Sequence, residues 1–378
     1  MDRIDVRPRA DWREKVEGLG LIWHTAGGAP YWNEGVGYRF TSAEIEAIEQ
    51  ATRDLYAMFL AAGDHVVENR LFSRFGIPDW CEPLIIDAWR DEPPALNYGR
   101  FDLGFDGAGP AKLFEFNCDT PTSLLEAAVV QWQWKEDHFP AADQFNSLHD
   151  RLVAKWRDIA PYLADGLVHF THAREGSGED AVTTAYLLDT AREAGLAGEA
   201  LLISDVGWAS GRFWDLQARE IRTLYHLYPW EWLVNEPFGR NLIENRGRAV
   251  WIEPIWKMIW SNKAILPILW DLYPNHPNLL WASREAPASD SYARKPILAR
   301  EGANISLVKN GRQIAASDGA YGDVGFIYQA LFDLPDFQGA RPVLGSWIVD
   351  GEPAGIGIRE DGLITGNLSR FTPHIIAD

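Results

Sequence analysis

Apolar residues recur at helical spacing through the segment that follows Thr41, where Ile45, Ile48, Leu55 and Phe59 would line one face. Thr41 with Glu44 has the sequence of a capping box, and Gly63 is the expected stop of this helix. The same periodicity predicts helices over 123–138, 143–162, 179–194 and 263–273, with short strand-like runs such as 167–172 between them. Beyond residue 290 the pattern changes to alternation broken by turns. Asn310-Gly311 separates ISLVK from RQIAA, and Asp350-Gly351 separates SWIV from EPAGIGI, both of them hairpin signals. The pattern predicts an α+β fold with mixed and antiparallel sheets, the antiparallel part at about 290–370. No internal repeat or low-complexity linker occurs, so residues 1–378 read as a single unit with a soft lobe boundary near 165, where GLVHFTHA begins.

Composition narrows the classes of function. With 378 residues, 47% of them hydrophobic, the chain can bury substantial cores without disulfides. Thirty-five basic residues against 54 acidic ones give a formal charge of −19, which repels a phosphate backbone and argues against nucleic-acid or anionic-membrane partners. Two cysteines are too few for a disulfide framework, no apolar run is long enough to span a bilayer, and MDRIDVRPRADWREK has no apolar signal region. A soluble, cytoplasmic protein is the expectation. The 18 tryptophans suit either a sugar-binding groove, as in a glycoside hydrolase, or core and subunit packing. Most lie inside apolar periodic segments, which favours packing and leaves a homo-oligomer open.

The densest polar cluster is YGRFDLGFDGAGPAKLFEFNCDTPTS, residues 98–123. Arg100 and Asp102 alternate on one strand, while Glu115 and Asn117 alternate on the next, opposite Phe114 and Phe116. The glycines and proline between the strands predict a reversal that brings the two polar faces together. One cation, two carboxylates and an amide oxygen suit Mg²⁺ with a nucleotide, because Mg²⁺ takes one or two carboxylates and completes its octahedron with phosphates and water. An ordinary solvent-facing strand pair would have the same pattern.

A second cluster lies downstream. EPIWKMIWSNKAILPILW contains Lys257 and Lys263, and YARKPILAREGANISLV contains Lys295 and Gly302. A strand lysine followed by a loop of small residues can clamp polyphosphate with side chain and backbone together. Taken singly these lysines read as solvated surface charges; taken with the carboxylates they favour an ATP site.

GRFD, LFEFNCDTPTSLLEAA, SNKAILPILW, RKPILAREGANISLV and IYQALFDLP, in this order, resemble the synthetase domain of the glutathionylspermidine synthase family. The resemblance runs from about residue 20 to the C-terminus. It implies an ATP-grasp fold and an enzyme that joins a carboxylate to an amine with Mg-ATP. It implies that Arg100 contacts the terminal phosphate, and that Asp102, Glu115 and Asn117 hold two Mg²⁺ ions with Glu115 bridging. Lys263 and Lys295 match the nucleotide lysines, Gly302 the phosphate-covering loop, and Gln329, Ala330 and Leu331 the strand that meets adenine. Arg359, in GIGIRED, resembles the arginine that helps hold the acyl phosphate.

Departures from the family pattern bear on substrate. The N-terminal amidase domain of the bifunctional members is not expected here, Leu227 and Trp232 stand where those enzymes have glutathione-binding threonines, and Arg370 in NLSRF replaces an aspartate. The chain is closest in pattern to single-domain acid–amine ligases of the family. Thr120, Thr122 and Ser123 could open the next helix and meet a substrate carboxylate, or merely cap it. Glu179 and Asp180 resemble the acidic pair that faces the amine, in a place where a helix N-terminus favours carboxylates anyway. The reading is an ATP-dependent carboxylate–amine ligase acting through an acyl phosphate and releasing ADP and phosphate. Its rivals are a Mg-ATP-binding module without turnover and the glycoside hydrolase, which gives Lys263 and Lys295 no role.

Overall fold

A computed structural model of the protein describes residues 1–26, 28–366 and 369–378, so Asn367 and Leu368 of the NLSRF motif lie outside the described residues. At its centre is a five-stranded antiparallel sheet in the order Arg370–Thr372, Glu352–Asp361, Arg341–Val349, Gly99–Gly104, Lys112–Asn117. The helix Ser42–Glu68 lies behind it, and Phe59 meets Phe101 and Phe116 edge-on. A second five-stranded antiparallel sheet runs Ala282–Ser283, Phe326–Ala330, Tyr292–Pro296, Ser306–Lys309, Arg312–Ala316. The third is a four-stranded parallel sheet, Val250–Ile252, Thr223–Leu227, Leu167–His172, Ala197–Leu202, and its first strand in sequence begins just past the expected lobe boundary. Asp2–Asp5, Val36–Phe40 and His374–Ile376 form a small mixed sheet that joins the two ends of the chain. The architecture is a mixture of helices and several sheets.

Both hairpin signals fold as the dipeptides require. Asn310 and Gly311 have φ of 52° and 72°, and Asp350 and Gly351 have 54° and 77°, the paired left-handed conformation that matches strand twist. Helix ends differ more. The capping box at Thr41 forms, but the helix runs through Gly63 to Glu68. Gly63 is a contact position: a Cβ there would stand 2.2 Å from the Trp89 ring. The helix expected over 143–162 spans only Leu148–Ile159 before a 3₁₀ turn, because Asp143 and Asn146 bridge to Ile376 and Gly355. The one expected over 123–138 passes through a π-helical turn, Glu126–Val130, before Gln131–His138. Glu179–Glu193 and Ile265–Leu272 agree with the pattern to within two residues.

Trp32, Trp134, Trp156, Trp230, Trp260 and Trp347 are fully buried, so much of the unusual tryptophan content is core. Among the described residues no helix is long and apolar enough to cross a membrane. Gly63→Ala sets a helix-propensity gain of about 1 kcal/mol against overpacking of a rigid indole that costs about 1–3 kcal/mol. The clash dominates, and a fall in stability in a denaturant titration is the expected result.

Candidate active site

The reversal after Gly104 pairs Gly99–Gly104 with Lys112–Asn117, setting Arg100 opposite Asn117 and Asp102 opposite Glu115. All four side chains therefore point to one side. A register shift at Asp102/Leu103 leaves Phe114 as the extra residue of a bulge, so Phe114 faces the cavity with Glu115, whereas Phe116 stacks on Phe101 in the core at 3.8 Å. The expectation that Phe114 shares a face with Phe116 fails for this reason.

The cavity in front of these strands has about 1240 Å³ of empty space. Arg100, Asp102, Glu115 and Asn117 line one wall; Lys263, Lys295, Gln329, Ala330 and Leu331 line another, with Gly302, Thr120, Thr122 and Arg359 at the edges. The sequence candidates from four distant stretches thus meet in one place. Lys263 Nζ is 2.7 Å from Glu115 Oε2 and donates to Ala299 O at 2.9 Å. Lys295 Nζ donates to Gln329 Oε1 at 2.7 Å and to Phe114 O at 3.2 Å. Arg100 grips Asp102 at 2.7 and 3.3 Å, and Arg359 Nη2 reaches the same carboxylate at 2.7 Å from the strand Glu352–Asp361. Asn117 Nδ2 donates to Asp102 at 3.2 Å and to Glu115 at 3.4 Å.

Burial and neighbouring charge together set the titration of these groups. Burial would raise the Glu115 carboxyl, but Lys263 and Lys295 outweigh it and hold the group well below its usual range. Lys295 is pushed down to about 8, mainly by burial, with Lys263 adding repulsion and Glu115 opposing. Arg359 is lowered by burial and by Arg100. The site is an oxygen-rich floor rimmed by cations, shaped for a polyanion.

Gly302, at φ 70°, sits where the 299–304 loop meets the segment that follows the central strand Glu352–Asp361, and a Cβ there would lie 2.4 Å from Thr365 O. Gln329 is turned inward, donating to Leu113 O at 2.9 Å while it accepts from Lys295; Ala330 and Leu331 face the cavity.

Some candidates lie elsewhere. Lys257 is fully buried, 3.1 Å from Glu253, and donates to Tyr98 O, so it props the central strand from behind. Ser123 does not line the cavity; it stands just before the helical residue Leu124, with φ 67° and its carbonyl accepting from Ala127 N at 3.2 Å, while its hydroxyl is 3.3 Å from that of Tyr31. Thr120 and Thr122 precede it at the rim, where Thr120 Oγ1 accepts from Arg300 at 2.7 Å and Thr122 O accepts from Arg100 at 2.6 Å. Glu179 and Asp180 stand beyond Thr122 on the helix Glu179–Glu193. Burial first, then Glu126 and Asp180, push Glu179 up to about 8; burial, then Glu175, push Asp180 up to about 6. Trp232 is exposed beside Arg300, and Arg370 is 3.4 Å from Glu360.

Residues that pattern reading missed include Arg300, Asp119 and Glu126. Arg300 lay in full view within the lysine-loop motif. Asp119 is pushed up to about 8 by burial and by Glu231, with no sign of this in the sequence. Glu126 looked like one more residue of a helix, and Tyr31, which binds it, is 95 positions away.

The sequence profile of glutathionylspermidine synthase preATP-grasp proteins matches residues 3–377. A Haemophilus influenzae protein that carries the name "putative acid–amine ligase" is 39% identical over 99% of both chains. Trypanothione synthetase of Crithidia fasciculata is 29% identical over 84% of this chain and 53% of its own, and the bifunctional glutathionylspermidine synthetase/amidase of Escherichia coli 26% over 90% and 59%. The chain therefore spans little more than half the length of those two relatives. A glutathione synthetase-like effector from Globodera pallida shares the fold with a TM-score of 0.57 at 8% identity, covering 97% of this chain and 96% of its own. With the family profile matched across almost its whole length and a relative of equal extent at 39% identity, the chain is an enzyme of the glutathionylspermidine synthase family, whose named members form C–N bonds.

Proposed function

We propose that the protein is an ATP-grasp-type ligase that couples a small carboxylate to an amine through an acyl phosphate, releasing ADP and phosphate. The observation that carries this reading is the facing pair Asp102 and Glu115 in a cavity walled by Arg100, Arg359, Lys263 and Lys295. The triphosphate would lie between the central sheet and the sheet that carries Lys295, with adenine against Ala330 and Leu331 and the Gly302 loop over the phosphates. On this reading residues 1–378 act as one ligase unit, with about 290–370 supplying the nucleotide cover.

The donor set fits Mg²⁺. Asp102, Glu115 and Asn117 offer hard oxygen atoms on one face, and among the described residues no group of three His, Cys, Asp or Glu side chains would hold a metal alone. Such a site takes its remaining ligands from phosphate and water, which is how Mg²⁺ binds with nucleotides. When bound, the ions, two on this reading, would neutralise phosphate charge. Lys263 and Arg100, now paired with Glu115 and Asp102, would turn toward the transferring phosphoryl group. Arg359 would hold the acyl phosphate from the opposite strand. Chemistry of this kind rests on positioning and electrostatics, so a nucleophilic side chain is not required.

Relatives named for acid–amine ligation, trypanothione and glutathionylspermidine synthesis support this class of reaction. The exposed Trp232 and the guanidinium of Arg370 argue for an acid and an amine other than glutathione and spermidine. Mg²⁺-dependent ADP release, measured with glutathione, other γ-glutamyl peptides and amino acids crossed with polyamines and amino acids, tests the reading. ADP formed with one acid–amine pair, together with the mass of their amide, is the expected outcome; no ADP with any pair would refute it.

Glu115→Ala removes a carboxylate from the cavity wall that would hold the metal, so turnover should fall by at least about 10²-fold while the melting curve stays cooperative. Unaltered turnover would remove Glu115 from the metal site. Lys295→Ala should weaken Mg-ATP binding about tenfold or more, the loss of one charge-assisted contact, read by calorimetry. An unchanged affinity would show that the triphosphate lies elsewhere.

A further inference from the structure

The strand Arg341–Val349 lies between the strand that carries Arg100 and Asp102 and the strand that carries Arg359. On its cavity face Val343 stands opposite Arg359 and Trp347 opposite Arg100. Between them is Gly345, with Asp102 opposite it on one side and Gly357 on the other. Gly345 is buried and does not belong to the glycines of positive φ, so its backbone conformation does not call for glycine. A glycine inside a strand weakens it and often marks a close approach from outside the strand.

What approaches Gly345 is Arg100. A Cβ at this position would stand 2.6 Å from Arg100 Cδ, 3.1 Å from Cγ and 3.3 Å from Nε. A clash with the loose end of a surface side chain is relieved at little cost, but Arg100 is buried and fixed at both ends. Its strand is paired on both sides, and its guanidinium donates to Asp102 at 2.7 and 3.3 Å and to Thr122 O at 2.6 Å. The middle of the side chain therefore lies flat in the space that Gly345 leaves.

Trp347 completes the bed. Its ring centroid is 5.7 Å from the guanidinium carbon of Arg100, and an indole face is the strongest aromatic partner for a cation. The indole is fully buried and its N–H has no acceptor among the described residues, a cost that this contact helps to offset. Arg359 reaches across the same strand to Asp102 at 2.7 Å, so two guanidinium groups converge on one carboxylate beside Gly345.

We infer that Gly345 is a positioning residue for the ligation reaction: the space it leaves lets the Arg100 stem lie low on the sheet, above Trp347, with its charge aimed at the place of the transferring phosphoryl group. The effect on turnover rests on the ligase reading above, in which Arg100 meets that group. Gly345 itself lines no part of the cavity. An alanine would have to lift the stem by about 1 Å to restore the separation that two carbon atoms need, and a misplacement of that size can cost about 10²-fold in rate. Mg-ATP binding should change far less, because Lys263, Lys295 and the facing carboxylates are not among the atoms that a Cβ on Gly345 would meet.

Gly345→Ala, Arg100→Ala and the double variant are compared with the wild type, using the acid–amine pair that supports ADP release. Gly345→Ala should lower kcat by about 10²-fold and leave the Kd for Mg-ATP, read by calorimetry, within a few-fold of the wild type. On the Arg100→Ala background the same alanine should change kcat no further, because the side chain it displaces is gone. An unaltered kcat in Gly345→Ala, a second loss of similar size in the double variant, or a Mg-ATP affinity that falls in step with kcat would each overturn the inference.

Melting supplies the same cycle without turnover. Gly345→Ala should melt below the wild type, since it overfills a packed site, whereas the double variant should melt no lower than Arg100→Ala. A Gly345→Ala chain that fails to fold alone but folds when combined with Arg100→Ala supports the inference as well. A double variant that falls below Arg100→Ala by as much as Gly345→Ala falls below the wild type would show that the alanine strains the sheet and not the arginine, and would overturn it. ADP from no pair with the wild type overturns the ligase reading instead, and the melting cycle still decides whether Gly345 serves Arg100.

Discussion

The antiparallel pairing of Gly99–Gly104 with Lys112–Asn117 is the constraint on which the rest of the site depends. It sets two carboxylates face to face, and like charges so placed repel unless cations or a metal join them. The surrounding chain supplies cations from three directions: Arg100 beside Asp102, Arg359 across the sheet, and Lys263 from the segment before Ile265–Leu272. These pairs are not a source of net stability, because desolvating both partners offsets most of their attraction. On the proposed reading, each cation would exchange a carboxylate for a phosphate when a metal takes its place. The apolar side of the same strands, Phe101 on Phe116 with Phe59 against both, holds the geometry rigid enough for that exchange.

Buried carboxylates away from this floor differ in how they are balanced. Glu253 and Lys257 neutralise each other at 3.1 Å and fasten the chain just before the first strand, through Leu96 N and Tyr98 O. At the parallel sheet the buried Asp215 is held by the ring of His169 at 3.1 Å and by the half-exposed Arg219 at 2.7 Å. Glu126 is held instead by Tyr31 Oη and Trp23 Nε1 at its Oε1, while its Oε2 has no hydrogen-bond partner among the described residues.

Much of the fold was legible locally. Hairpins at Asn310-Gly311 and Asp350-Gly351 follow from backbone conformations that few other residues adopt, and the capping box at Thr41 follows from two side chains three positions apart. The site was legible where its residues alternate on short strands or sit in compact motifs: Arg100, Asp102, Glu115 and Asn117, then Lys263, Lys295 and Gly302. Gly63 was misread because a glycine that ends a helix and one that admits an indole look alike in sequence. Phe114 was misread because one extra residue on one strand reverses every face that precedes it, and alternation counts do not register a bulge.

The sequence by itself determined the family, through carboxylates on paired strands, spaced lysines and a glycine loop in the order that marks it. Short-range rules carry that much, because each motif is complete within a few residues. Only the tertiary structure decided which like residues serve which ends. Lys257 and Lys263, six positions apart, part into a buried strut and a cavity wall; Ser123 turns from the cavity while Thr122 lines it; and Glu126, with no feature to distinguish it, becomes a buried acid beneath Tyr31. Burial and the company of charges fix a group's role and its proton affinity, and both are properties of neighbours brought together across the chain, not of residues beside one another in it.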